Sequence, residues 1–127
     1  MPKTTDLKPK TGKKILVVED EGEMGLVLGM ILNEGKIQMD YVNNLLAADE
    51  YLKEQQPSVI ILDNKLPDGF GVDSISYFKK KYPSIKIIMI SGFASARDVA
   101  LENGADIFIA KPFSKSDLYN SIDKLLQ

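Results

Sequence analysis

Val59-Ile60-Ile61-Leu62-Asp63-Asn64-Lys65-Leu66-Pro67 is the stretch on which the fold turns. Four aliphatic residues run directly into an acid, and Pro67 ends regular structure. An apolar run this short, rich in β-branched residues and abruptly bounded, predicts a buried strand. It lacks polar alternation, so both faces of the strand are covered. Asp63 then stands at the carboxyl end of a buried strand. A carboxylate there is either a liability or a tool, and the rest of the chain decides which.

The same kind of run recurs on either side. Ile15-Leu16-Val17-Val18 ends in Glu19-Asp20-Glu21, Lys86-Ile87-Ile88-Met89-Ile90 ends at Ser91-Gly92, and Ile107-Phe108-Ile109-Ala110 ends at Lys111-Pro112. Ile37 to Val42 alternates weakly and predicts a strand near an edge. Between these runs the spacing turns helical. Met24, Val27, Leu28 and Ile31 predict the inward face of a first helix that stops at Gly35. Gly25 and Gly29 inside it cost about 1 kcal/mol each relative to Ala, so packing must hold it. Asn43-Asn44 caps a second helix with Leu45, Ala48 and Leu52 inward, and Pro57 closes it. Val72, Ile75 and Phe78 face inward on a third, with Asp73 in its first turn and Lys79-Lys80-Lys81 in its last, as the dipole favours. Pro83 ends that helix. The fourth, about Ser95 to Asn103, is weak: Ala96, Val99 and Ala100 bury little. Ser114 with Asp117 resembles a capping box opening the fifth, whose inner face is Leu118, Ile122 and Leu125.

Five βα units in succession predict an α/β fold, a flavodoxin-like (βα)5 domain with a doubly wound parallel sheet. The common order for five such strands is 2-1-3-4-5, and ligands bind beyond the carboxyl ends where the order reverses. The domain spans 13–127. Residues 1–12 are rich in Lys, Pro and Thr around one isolated leucine and read as a disordered leader or cloning remnant.

Composition narrows the chemistry. The 127 residues are 44% hydrophobic and 27% charged, ordinary for a soluble globular domain. Lys+Arg 16 against Asp+Glu 18 gives a net charge of −2, which offers no electrostatic case for nucleic acid or an anionic membrane. There is no Cys and no His, which excludes disulfides, thiolate or imidazole metal sites and Ser-His-Asp catalysis. No run reaches the roughly 20 apolar residues of a membrane span, and no signal-peptide core opens the chain. A cytoplasmic protein is the expectation.

The topology collects Glu19, Asp20, Asp63, Ser91 and Lys111 from four strand ends. Two unit charges ~5 Å apart repel by about 3 kcal/mol at an effective dielectric of ~20, so three acids together call for a proton or a cation. Oxygen ligands without nitrogen or sulfur point to Mg²⁺ or Mn²⁺. A carboxylate nucleophile, a divalent ion, a lysine and a hydroxyl are the parts for phosphoryl transfer onto Asp63.

From Lys13 to Gln127 the chain resembles the receiver domains of two-component response regulators. The resemblance rests on Val18-Glu19-Asp20, Leu62 to Gly71, Ile90-Ser91-Gly92-Phe93 and Phe108-Ile109-Ala110-Lys111-Pro112-Phe113. It implies Asp63 as phosphoacceptor, Asp20 as a direct Mg²⁺ ligand, Glu19 as a ligand through water, and the Lys65 carbonyl as a further ligand. It implies Ser91 as switch hydroxyl, Lys111 as the phosphate-pairing lysine, Phe108 as the switch aromatic, and a cis Lys111-Pro112 bond. Phe108 lies on the opposite strand face from Ile107 and Ile109, so a half-exposed ring is expected. The implied partners are a sensor histidine kinase or phosphotransfer protein upstream, and a downstream protein or missing output domain. A homodimer through helix 4, strand 5 and helix 5 is a further option. The domain is not an enzyme in the ordinary sense; it assists its own phosphorylation and dephosphorylation.

Four positions depart from the common pattern. Glu19 replaces an Asp, Ser58 stands where many receivers carry Asp, Lys65 lies two residues after the acceptor, and Phe93 lies two residues after Ser91. Lys65 and Phe93 are expected to set the lifetime of the phosphorylated state. A pseudo-receiver acting only as a binding module is the alternative, against which the intact acid set argues. A flavin site is disfavoured because no phosphate loop follows the first strand. An Asp-x-Asp phosphatase is disfavoured because Glu21-Gly22 follows Asp20.

Overall fold

A computed structural model describes residues 13–127. The expected leader, 1–12, lies outside the described residues. Strand β1 (Lys14–Val18) is followed by helix α1 (Gly22–Glu34), β2 (Gln38–Val42), α2 (Leu45–Glu54), β3 (Val59–Asp63), a 3₁₀ turn (Gly71–Ser74) running into α3 (Ile75–Lys81), β4 (Lys86–Ser91), α4 (Ala96–Glu102), β5 (Ile107–Ala110) and α5 (Lys115–Leu126). The five strands form one parallel sheet in the order β2-β1-β3-β4-β5, as expected.

The aliphatic runs arise because each strand is buried on both faces. Leu16, Val18, Ile60, Leu62, Ile87, Met89 and Phe108 face one layer with α2, α3 and α4. Ile15, Val17, Val59, Ile61, Ile88, Ile90 and Ile109 face the other, with α1 and α5. Register aligns like with like: Ile60 pairs with Ile87 and Leu62 with Met89, which in turn pairs with Phe108. At the edges, β2 keeps a mixed pattern and β5 is buried only at its two central residues.

Three local expectations change. First, α1 buries Leu28, Ile31 and Leu32, while Val27 is 45% exposed. The helix carries apolar residues around most of its circumference, and the sheet selects the stripe. Second, the loop after Asp63 holds a two-residue hairpin, Lys65–Leu66 against Gly69–Phe70, with Pro67 and Asp68 at its turn. Third, Phe108 is 9% exposed, not half-exposed, although it does lie on the face opposite Ile107 and Ile109. Helix caps follow the sequence: Asn44 Oδ1 accepts from the Ala47 N–H at 2.7 Å, and Ser114 Oγ accepts from the Asp117 N–H at 3.0 Å.

Candidate functional site

Asp63 ends the central strand with its side chain in a cleft of about 220 Å³ walled by Glu21, Asn64, Lys65, Ser91, Gly92, Phe93 and Lys111. It is 5% exposed. Its two oxygens have opposite surroundings. Oδ1 accepts from the Asn64 backbone N–H at 2.8 Å and from Lys111 Nζ at 3.1 Å. Oδ2 is buried with no hydrogen-bond donor. Burial pushes the carboxyl pKa up; Lys111 and the Asn64 N–H oppose that, and the charge of Glu21 adds to it.

Two neighbours hold this geometry. Asn64 is itself buried; its Oδ1 accepts from the Val72 N–H at 3.0 Å, and its carbonyl accepts from the Gly71 N–H at 2.7 Å. These bonds fold the hairpin back under the acceptor. Gly71 is required by space, since a Cβ there would drive into the Asp63 carbonyl oxygen and within 3.0 Å of Leu62. Neither Asn64 nor Gly71 stands out in the sequence as a site residue, because their work is on the backbone.

Ser91 and Lys111 reach the cleft as expected. Ser91 is buried, and its Oγ accepts from the Phe93 N–H at 3.0 Å. Its hydroxyl proton is thus available to an oxygen in the cleft. The Lys111–Pro112 bond is cis. Lys65 and Phe93 stand exposed at the rim. Glu21, exposed at the start of α1, brings Oε2 to 4.0 Å from Lys111 Nζ and lines the rim of the cleft.

The first-strand acids divide. Asp20 is exposed, whereas Glu19 is 1% exposed. Glu19 Oε1 accepts from the Glu21 N–H at 2.7 Å, and Oε2 is buried without a donor. Burial pushes its pKa up; the Tyr41 hydroxyl and the Glu21 N–H oppose this, and the charge of Asp63 adds to it. Neither Glu19 nor Asp20 lines the Asp63 cleft, and among the described residues no three acids are grouped so as to hold a metal ion. The chemistry of the donors nevertheless suits one. Two buried carboxylate oxygens without donors, Glu19 Oε2 and Asp63 Oδ2, are the hard acceptors that Mg²⁺ or Mn²⁺ takes.

Known proteins resemble this chain in sequence and fold. The family model for the response regulator receiver domain matches residues 15–123. The chain is 30% identical over 118 residues to the chemotaxis protein CheY of Thermotoga maritima, covering 90% of this chain and 98% of that protein. It is 31% identical over 119 residues to the phosphate regulon transcriptional regulatory protein PhoB of Escherichia coli, covering 91% of this chain but 52% of PhoB. It thus spans nearly all of one relative and about half of the other. The crystal structure of the response regulator protein TrrA from Thermotoga maritima, in complex with Mg(2+)-BeF, superposes with a TM-score of 0.82 at 28% identity, covering 89% of this chain and 98% of that one. With the fold and these matches in agreement, the chain belongs to the response regulator receiver family of two-component systems.

Proposed function

We propose that residues 13–127 form a unit that accepts a phosphoryl group on Asp63 from the phosphohistidine of a sensor histidine kinase or phosphotransfer protein. One observation carries this reading. Oδ1 of Asp63 is held by Lys111 and the Asn64 N–H, while Oδ2 is left without a donor. One oxygen is anchored and the other is free to form a bond. The Oδ2 lone pair attacks phosphorus, the O–P bond forms, and the P–N bond of the donor breaks with its electron pair leaving on the imidazole. Lys111 compensates charge on the phosphoryl oxygens. Ser91 turns its hydroxyl to donate to one of them.

Asp20, Glu19, Asp63 and the Lys65 carbonyl would hold Mg²⁺ or Mn²⁺, which supplies charge neutralisation at the phosphoryl oxygens. Movement of Ser91 and a shift of the Phe108 ring would then reshape the surface of α4, β5 and α5. That surface would meet a downstream protein, an output domain or a second copy of the chain, in the cytoplasm. No helix among the described residues is long and apolar enough to cross a membrane.

The test is exposure to acetyl phosphate with Mg²⁺. A mass increase of one phosphoryl group, lost in Asp63→Asn, is the expected result. No mass increase in the native chain would leave a pseudo-receiver, a binding module without phosphoryl chemistry. Lys65 and Phe93 stand exposed at the rim of the cleft, and we propose that they meet the attacking water there and set the lifetime of the product. Lys65→Ala and Phe93→Ala should each change the dephosphorylation rate severalfold; unchanged rates in both would remove that role.

A further inference from the structure

The two carboxylate oxygens of Asp63 are told apart by one peptide N–H, that of Asn64. This donor has two acceptors. It lies 2.8 Å from Asp63 Oδ1 and 3.2 Å from the Ile90 carbonyl. Asp63 and Ile90 are register partners on β3 and β4, so the Ile90 carbonyl is the acceptor that continues the sheet ladder. The shorter bond runs to the carboxylate instead. On its other side the same residue is held twice. Its carbonyl accepts from the Gly71 N–H at 2.7 Å, and its side-chain Oδ1 accepts from the Val72 N–H at 3.0 Å. These two donors open the 3₁₀ turn that leads into α3. Neither element has a side-chain cap from its own N-cap residue, Phe70 or Ser74. Asn64 therefore caps the turn from across the Lys65–Phe70 hairpin, with a side chain suited to capping and from a buried position.

We propose that Asn64 is a positioning residue for phosphoryl transfer: its side chain, fixed on Val72, aims the Asn64 N–H at Asp63 Oδ1 and so leaves Oδ2 as the nucleophilic oxygen. The inference rests on Asp63 as the phosphoacceptor and names what orients it. Lys111 alone does not select an oxygen, because an ammonium is a point charge with rotatable donors that can serve either one. A peptide N–H held from both sides has one direction. Without the Val72 bond the peptide is free to swing to the Ile90 carbonyl, and the carboxylate is free to turn. The attacking oxygen is then out of line in most encounters, which lowers the rate of transfer and not the binding of the donor. Asp68 gives the contrast within the same hairpin. It ties the hairpin to α2 through the Leu45 and Leu46 N–H groups and makes none of the Asn64 bonds.

The test is phosphoryl uptake from acetyl phosphate by the full chain at saturating Mg²⁺, followed by mass, together with the backbone amide spectrum. Asn64→Ala should lower the maximum rate about tenfold at an unchanged half-saturating concentration of acetyl phosphate. The amide proton of residue 64 should move upfield by more than the change of residue accounts for, as its bond to the carboxylate is lost. Asn64→Asp keeps an oxygen for the Val72 N–H and should recover most of the maximum rate, with a higher half-saturating concentration from the added negative charge. Asp68→Ala should leave the maximum rate as it is. An unchanged maximum rate or an unmoved amide signal in Asn64→Ala overturns the role, and so does a rate in Asn64→Asp as low as in Asn64→Ala. An equal loss in Asp68→Ala overturns it in favour of hairpin stability, and a loss that more Mg²⁺ removes overturns it in favour of the cation. If Asn64→Ala fails to fold by circular dichroism, Asn64→Ser, whose hydroxyl is one bond shorter than the amide oxygen, carries the decision on the same criteria. A native chain that takes up no phosphoryl group sinks the acceptor reading and this role together, whereas native uptake with an unaffected Asn64→Ala sinks the role alone.

Discussion

The two ends of the sheet treat charge differently. At the amino-terminal end, charged groups are paired. Lys14 reaches Asp40 at 3.4 Å and Gln55 at 2.8 Å, and Asp40 accepts from the Tyr51 hydroxyl at 2.6 Å. Asp106 accepts from the Ile87 N–H at 2.8 Å and from Lys79 at 3.3 Å, while Lys79 also donates to the Ile85 carbonyl. At the carboxyl end, Glu19 and Asp63 each keep a buried oxygen with no donor. Tyr82 is the other buried side chain with an unpartnered atom among the described residues, and that atom belongs to a hydroxyl, not a carboxylate. Buried polar groups are normally satisfied, and an anionic one left bare is costly. One end is thus arranged for stability. The other holds unsatisfied anions that stability alone does not explain.

If that contrast is right, removing the charge at Asp63 should remove function and add stability together. Asp63→Asn is the largest expected effect: phosphoryl uptake falls to background. Its melting temperature should rise by a few degrees at neutral pH. The sign follows from the raised pKa of the carboxyl, for which burial is the main cause. The native state binds its proton at a higher pH than the unfolded state does. The cost of the buried anion is therefore full above the folded pKa and disappears as pH falls through it toward the unfolded value. Melting curves at pH 7 and pH 4 check this. An equal or lower melting temperature for Asp63→Asn at pH 7 would break the comparison.

The opposite end should behave in the opposite way. Asp106→Ala removes the acceptor of the Ile87 N–H and the partner of Lys79. The expected loss is about 1–3 kcal/mol, the cost of leaving a partly buried donor unpaired. Phosphoryl uptake per folded molecule should be unchanged. Urea denaturation and acetyl phosphate uptake, measured on the same samples, separate the two quantities. A slowed uptake in the folded fraction would mean that the ends are coupled through β4.

How much of this was legible in the sequence follows from burial. Strands covered on both faces leave unbroken aliphatic runs, so β1, β3, β4 and β5 are plain in the chain, and the edge strand β2 is faint. The face of α1 was legible only in part: Met24, Leu28 and Ile31 pack inward as expected, but Val27 does not and Leu32 was missed. Leu26, Val27, Leu28, Met30, Ile31 and Leu32 offer more than one apolar stripe, and only the sheet chooses Leu28, Ile31 and Leu32. The hairpin at Lys65–Phe70 was hidden because Pro67 reads as a breaker, although a proline also suits a tight turn. At the site, topology alone brings Ser91 and Lys111 to the Asp63 cleft. It does not show which way neighbouring acids point, so the buried Glu19 and the exposed Asp20 had no signal. Tyr41 was visible only as an edge-strand residue.

Asp68 provides the finest test, because it lies at the carboxyl end yet is built like the residues of the other end. Both of its oxygens accept from the first turn of α2, from the Leu45 N–H at 2.9 Å and the Leu46 N–H at 3.0 Å. The Leu45 N–H is the main cause that holds its carboxyl below the usual range. Here the unfolded state binds its proton at the higher pH. The stabilisation is present above the unfolded pKa and is lost as pH falls through the folded one. Asp68 is exposed, so solvent screens most of the effect. Asp68→Asn should lower the melting temperature slightly at pH 7, with the difference from the native chain shrinking in acid and phosphoryl uptake retained. The two aspartates of one loop then respond to pH with opposite sign. Position at the carboxyl end does not make an acid costly; the lack of a donor does. If Asp68→Asn instead stabilised the domain at pH 7 as Asp63→Asn is expected to do, the strain would belong to the whole carboxyl edge and not to the unpartnered oxygen of Asp63.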